Sequence, residues 1–238
     1  TSDNKTNFVG QKQQIAILIC DIRGFTTISE YNEPEKVVSF LNKYFTEMEK
    51  CISKNHGIIN KYIGDAVMGI FGAPVKSENH ALNAFNAAME MRAALESLNK
   101  KLEGSDFPQI AFGIGLHSGD VLAGNIGAEN RIEYTVIGDT VNTASRIESL
   151  CKSYQKDLLM SESTCQLILD SVINENSTGQ NDFVFVDEAD IRGKTEKVKF
   201  SSGQVLKNIM NLTFPVFSGK LPQIRAAYLS HIYNSNLQ

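Results

Sequence analysis

The chain has 238 residues, 42% of them apolar and 21% charged, which suits one globular domain with a sizeable core. Its 23 basic and 27 acidic residues leave a formal charge of −4, so no nucleic-acid surface is advertised. No apolar run approaches the roughly 20 residues of a membrane span and no secretory signal stands at the start, so we expect a cytoplasmic setting and no membrane contact within this chain. It opens at Thr1 rather than Met, which leaves room for an upstream sensor or membrane domain in a longer parent protein. Cysteines 20, 51, 151 and 165 share no CxxC spacing and read as reduced, partly buried thiols.

In chain order, residues 1–14 are polar and read as a flexible lead-in or linker. Ile15–Cys20 reads as a buried strand that runs into Asp21-Ile22-Arg23-Gly24-Phe25-Thr26. Thr26–Tyr31 begins a helical turn. Pro34 then opens a longer helix with Val37, Val38, Leu41, Tyr44, Phe45, Met48 and Ile52 on one stripe. Gly57–Phe71 reads as a strand, a tight turn and a second strand, and Glu78–Leu102 as an amphipathic helix whose Met and Phe residues are core. Gln109–Ser118 and Asp120–Ile126 read as another hairpin. Glycines 113, 115, 119, 124 and 127 are dense there and point to close backbone approach or bulges. Strand-like Tyr134–Ile137 leads into a helix over Asp139–Tyr154. A short strand at Leu158–Met160, a helix at Glu162–Val172 and a polar loop at Asn174–Asp182 follow. Phe183–Ile191 and Lys197–Phe200 are expected to close the sheet. The alternation argues an α+β fold, a mixed sheet covered by helices. Residues 201–238 carry no chemical motif and read as a C-terminal extension of unknown role.

The chemistry concentrates in three places. Asp21 and Asp65 each end an apolar run at a glycine-containing turn, and a hairpin beside the first strand brings them together. Singly, each reads as a turn-capping aspartate. As a close pair they repel unless a cation neutralises them, and hard oxygen ligands suit Mg²⁺ or Mn²⁺. The backbone N–H groups from Ile22 to Thr26 are then placed to cradle phosphate. Asn142 and Arg146 are four apart, so a helix projects them from one face, an amide and a guanidinium suited to ribose and phosphate. His56 and His80 have no partners at metal-ligand spacing, and His117 reads as a strand histidine.

The segments DIRGFT, KYIGDAVMGIFG, GLHSGDVLAGNIG, YTVIGDTVNTASRIE and IRGKTEKV stand in the order found in the class III nucleotidyl cyclases, and residues 15–200 resemble the catalytic domain of that family. The resemblance implies a ferredoxin-like βαββαβ core with extra elements. It implies two Mg²⁺ or Mn²⁺ ions per active site on Asp21, Asp65 and the Ile22 carbonyl, with phosphates over Gly24, Phe25 and Thr26. Lys61 and Thr135 match the base-selecting pair of adenylate-making members; guanylate-making members carry Glu and Cys. Asn142 and Arg146 match the transition-state residues, and Arg192, with Lys194 near it, the basic residue that holds terminal phosphates. Asp120 stands where some split cyclases have a phosphate-binding Arg, and an acid there reads as structural. The implied protein is an ATP-using adenylate cyclase working as a head-to-tail homodimer. Guanylate cyclase and a silent nucleotide-binding regulatory domain are the alternatives. No GG[DE]EF-like loop supports a diguanylate cyclase.

Overall fold

Strand β1, Gln11–Ile22, is the spine of the sheet, and its residues alternate between two cores. Ala16, Leu18, Cys20 and Ile22 enter the larger core, whereas Ile15, Ile17 and Ile19 enter a smaller one on the other face. This computed structural model describes residues 10–105, 107–128, 131–174, 182–190 and 197–204. Residues 1–9, the chain beyond Gln204, and Arg192 and Lys194 lie outside the described residues. β1 starts before the expected Ile15 because Gln11–Gln14 pair with Asp120–Ala123, an edge ladder that an apolar run does not mark.

The remaining elements are α1 (Phe25–Tyr31), α2 (Pro34–Lys54), β2 (Gly57–Ile63), β3 (Ala66–Phe71), α3 (His80–Leu102), β4 (Phe112–Ala128), β5 (Arg131–Ile137), α4 (Asp139–Ser153), β6 (Leu158–Ser161), α5 (Glu162–Asn174), β7 (Asp182–Ala189) and β8 (Val198–Gln204). The sheet order is β2-β3-β1-β4-β6-β8-β7, with β5 paired to the far half of β4. The run β1-α2-β2-β3-α3-β4 with strand order 2-3-1-4 is the expected ferredoxin-like βαββαβ core. α2 and α3 cover the larger core, where Tyr44, Met48, Phe85 and Met91 are fully buried. On α2 the buried stripe is Val37, Phe40, Tyr44, Met48, Cys51 and Ile52. Val38, expected on it, is exposed, because Phe40 and Cys51 turn the stripe away from it.

The expected hairpin across Gly119 is instead one 17-residue strand, β4, whose hairpin partner is β5. The glycines serve close approach. Gly113, Gly115 and Gly119 lie opposite Asp21, Ile19 and Ile15 on β1, on the face that α4 covers. A Cβ at Gly115 would stand 2.5 Å from the Ala144 carbonyl oxygen and 2.8 Å from the Glu148 Cα. Only glycine lets the α4 backbone lie this near the sheet.

All four cysteines are buried and free. No helix among the described residues is long and apolar enough to cross a membrane.

Candidate active site

Asp21 sits on β1 beside the β2–β3 turn, since the β1–β3 ladder ends at Cys20 opposite Val67. In that turn Gly64 has φ 64°, at the first of two loop positions, where a two-residue hairpin loop calls for glycine. The turn delivers Asp65 to Asp21. Burial, the charge of Asp65 and a hydrogen bond to Asp65 push the Asp21 carboxyl up to about 6. Two carboxyls sharing a proton is what such a pair does when no cation separates them. Among the described residues no three His, Cys, Asp or Glu side chains form a metal cage. Mg²⁺ is commonly held by one or two carboxylates plus substrate phosphates, and Asp21 and Asp65 supply two carboxylates side by side. The donor set of Asp21, Asp65 and the Ile22 carbonyl therefore fits a hard divalent ion.

Behind this pair lies a contact the sequence reading missed. Glu148 on α4 and Arg23 form an ion pair, Nη1 to Oε1, at 3.6 Å. Gly113, the cross-strand partner of Asp21, leaves the room, because a Cβ there would meet the Glu148 Oε1 at 2.6 Å. Burial and then the charge of Asp21 push the Glu148 carboxyl up to about 7, with Arg23 opposing. Glu148 closes the stretch Ser145-Arg146-Ile147-Glu148, but its partner Arg23 is far away in sequence, so only tertiary structure pairs them.

Two of the N–H groups expected to cradle phosphate already have acceptors within the chain. The Ile22 N–H donates to the Asp21 carboxyl, and the Arg23 N–H donates to the Ala111 carbonyl at 2.8 Å. Gly24 adopts a left-handed conformation, φ 65°, ahead of α1, and no side chain caps that helix. The first bond within α1 is Ile28 N–H to the Gly24 carbonyl, so the N–H groups of Gly24, Phe25, Thr26 and Thr27 have no intrahelical acceptor.

Lys61 is exposed on β2, and Thr135 is half-buried on β5. Asn60 brings the strands together: the Thr135 hydroxyl is 3.4 Å from Asn60 Oδ1, and Asn60 Nδ2 donates to the Tyr134 carbonyl at 3.3 Å. Asn142 is exposed on α4, and Arg146, one turn later, is half-buried. The Arg146 Nη1 is buried with no hydrogen-bond partner among the described residues, a cationic donor left for a ligand or partner chain. Among those residues no hydrogen bond or ion pair joins Asp21 or Asp65 to Lys61, Thr135, Asn142 or Arg146. Asp120 is exposed, pairs with Lys12 at 2.8 Å, and accepts the Thr140 hydroxyl at its carbonyl. His117 Nδ1 lies 2.8 Å from the Ser161 hydroxyl, the strand role expected of it.

A family model described as the adenylate and guanylate cyclase catalytic domain matches residues 9–203. An adenylate cyclase of Anabaena cylindrica is 43% identical over 155 residues, covering 63% of this chain and 30% of that protein. This chain thus spans under a third of that relative's length. Among solved structures, the adenylyl cyclase CyaB from P. aeruginosa superposes with a TM-score of 0.74 at 29% identity, covering 83% of this chain and 97% of that one. The guanylyl cyclase Cya2 superposes with a TM-score of 0.73 at 31% identity, covering 86% and 98%. Backbone shape alone thus does not separate the two base specificities.

Proposed function

The chain belongs to the adenylate and guanylate cyclase catalytic domain family, and we propose that it converts ATP to 3′,5′-cyclic AMP and diphosphate. The observation that carries the reading is the convergence of Asp21 and Asp65, from a strand end and a hairpin turn, beside the uncapped start of α1. Mg²⁺ or Mn²⁺ ions there, two per active site, would acidify the ribose 3′-hydroxyl and neutralise the triphosphate. The Gly24, Phe25 and Thr26 N–H groups donate to phosphate oxygens at the head of α1. The 3′-oxygen forms a bond to the α-phosphorus as the bond to the bridging oxygen breaks. Diphosphate leaves, and the hydroxyl proton passes to solvent.

The remaining site residues orient and stabilise. Asn142 positions the ribose, and Arg146 meets the charge that builds on the α-phosphate, a role worth about a thousandfold or more in rate. Arg192 holds the terminal phosphates. Lys61 donates to the adenine ring acceptor, and Thr135 accepts from the 6-amino group. Guanine presents the opposite polarity and leaves both partners unpaired. The buried Arg146 Nη1, without a hydrogen-bond partner among the described residues, supports a head-to-tail homodimer, in which each site takes its carboxylates from one subunit and its base, ribose and phosphate contacts from the other. The test is incubation of purified protein with ATP or GTP and Mg²⁺ or Mn²⁺, with cyclic products separated. Cyclic AMP from ATP is expected. Cyclic GMP as the main product, or no cyclic product with either metal, rejects the reading.

A further inference from the structure

We propose that Asn60 is a specificity-determining positioning residue: it holds the Thr135 hydroxyl as an acceptor toward the base, favouring a 6-amino over a 6-oxo purine. The inference deepens the adenylate cyclase reading and rests on it.

Two observations place Asn60 in this role. The β2–β3 ladder pairs Ile59 with Gly69 and Lys61 with Met68, so Asn60 is the extra residue of a β-bulge. A bulge re-aims a side chain, and here the carboxamide reaches across to β5. There its Nδ2 lies 3.3 Å from the Tyr134 carbonyl oxygen and its Oδ1 lies 3.4 Å from the Thr135 hydroxyl. The Tyr134 carbonyl can only accept, which fixes the amide with its nitrogen toward Tyr134 and its oxygen toward Thr135. An amide oxygen also only accepts, so in this contact, a long one at 3.4 Å, the Thr135 hydroxyl is the donor and its single proton points at Asn60. What the hydroxyl has left is lone pairs. A 6-amino group donates to them. A 6-oxo group meets them with lone pairs of its own. Without Asn60 the hydroxyl is free to rotate and donate, and threonine then loses much of its power to discriminate. Lys61 chooses through the ring nitrogen, so Asn60 and Thr135 set only part of the preference.

The experiment measures kcat/KM for ATP and for ITP, which differ only at the N1–C6 edge, in four proteins: wild type, Asn60→Ala, Thr135→Val and the double variant. The ATP:ITP ratio should fall about tenfold in Asn60→Ala. It should stay within about twofold when the same change is made in Thr135→Val, which has no hydroxyl to orient. Asn60→Ser, too short to reach Thr135, serves as an independent variant, and melting curves confirm folding. An unchanged ratio in Asn60→Ala and Asn60→Ser overturns the proposal. So does an equal fall in both Thr135 backgrounds, which a merely structural role would give. GTP is measured beside them in wild type, where failure of the adenylate cyclase reading shows separately as no preference for ATP over GTP.

Discussion

Replacing Asp65 with Asn should abolish cyclisation and yet make the metal-free protein more stable. Burial, the charge of Asp65 and a hydrogen bond to it lift the Asp21 carboxyl from its ordinary 3.8 to about 6. At neutral pH that is an unfavourable interaction of at most about 3 kcal/mol. Burial accounts for the first share, and solvent screens the rest because Asp21 is only about half withdrawn from water. The part removed with the Asp65 charge is therefore about 1 kcal/mol. Asn keeps the shape of Asp and offers Asp21 an N–H donor in place of a like charge. In a domain of this size about 1 kcal/mol raises Tm by roughly 2–4 °C. The assay is a pair of thermal melts in EDTA at pH 8 and low salt, with cyclic AMP production measured alongside in Mg²⁺. Saturating Mg²⁺ should then stabilise wild type and do little for the variant, since a ligand stabilises only the state that binds it. If Asp65→Asn melts below wild type in EDTA, the carboxylates are not an electrostatic burden that a cation relieves. If it keeps full activity, Asp65 is not a metal ligand.

The carboxylate pair was legible because both aspartates end strands at glycine turns, where local sequence dictates local shape. The order of elements was legible for the same reason, and it limits a mixed sheet to few topologies. What failed needed knowledge of a neighbour. Gly119 beside Asp120 carries the punctuation of a turn, yet β4 runs straight through it because α4 lies across Gly113, Gly115 and Gly119. Val38 has the spacing of a core residue, but the partners of α2 select Phe40 and Cys51 instead. The bulge at Asn60 depends on the register of β3, and the Glu148–Arg23 pair on the docking of α4, so neither leaves a local mark. The first contact holds Thr135, and the second sets charges within reach of Asp21.

Three further outcomes follow from the same geometry. Gly115→Ala puts a Cβ about 1 Å inside ordinary contact with the α4 backbone, so α4 must shift with Asn142 and Arg146. A loss of about 1–3 kcal/mol in stability and of about a hundredfold in rate is expected, and normal melting with normal activity would refute the packing role. Metal-free protein should lose stability as pH rises from about 5 to 8. Asp21 is lifted to about 6 and Glu148 to about 7, so in that range the folded state binds more protons than the unfolded state. Glu148→Gln should remove the upper part of that slope in melts taken with EDTA, and an unaltered slope would detach Glu148 from it. The last outcome concerns the shared site. Asp21→Ala and Arg146→Ala damage opposite halves, so each homodimer has two broken sites and should be nearly inactive. In a heterodimer both lesions fall in one site and the other is intact. Random exchange makes half of the dimers heterodimers, so an equimolar mixture should regain at most about a quarter of wild-type activity. Exchange is verified by energy transfer between differently labelled subunits. A mixture that exchanges fully and stays inactive would mean that each chain assembles its site alone, with Asp21, Asp65 and Arg146 of one subunit acting on one substrate.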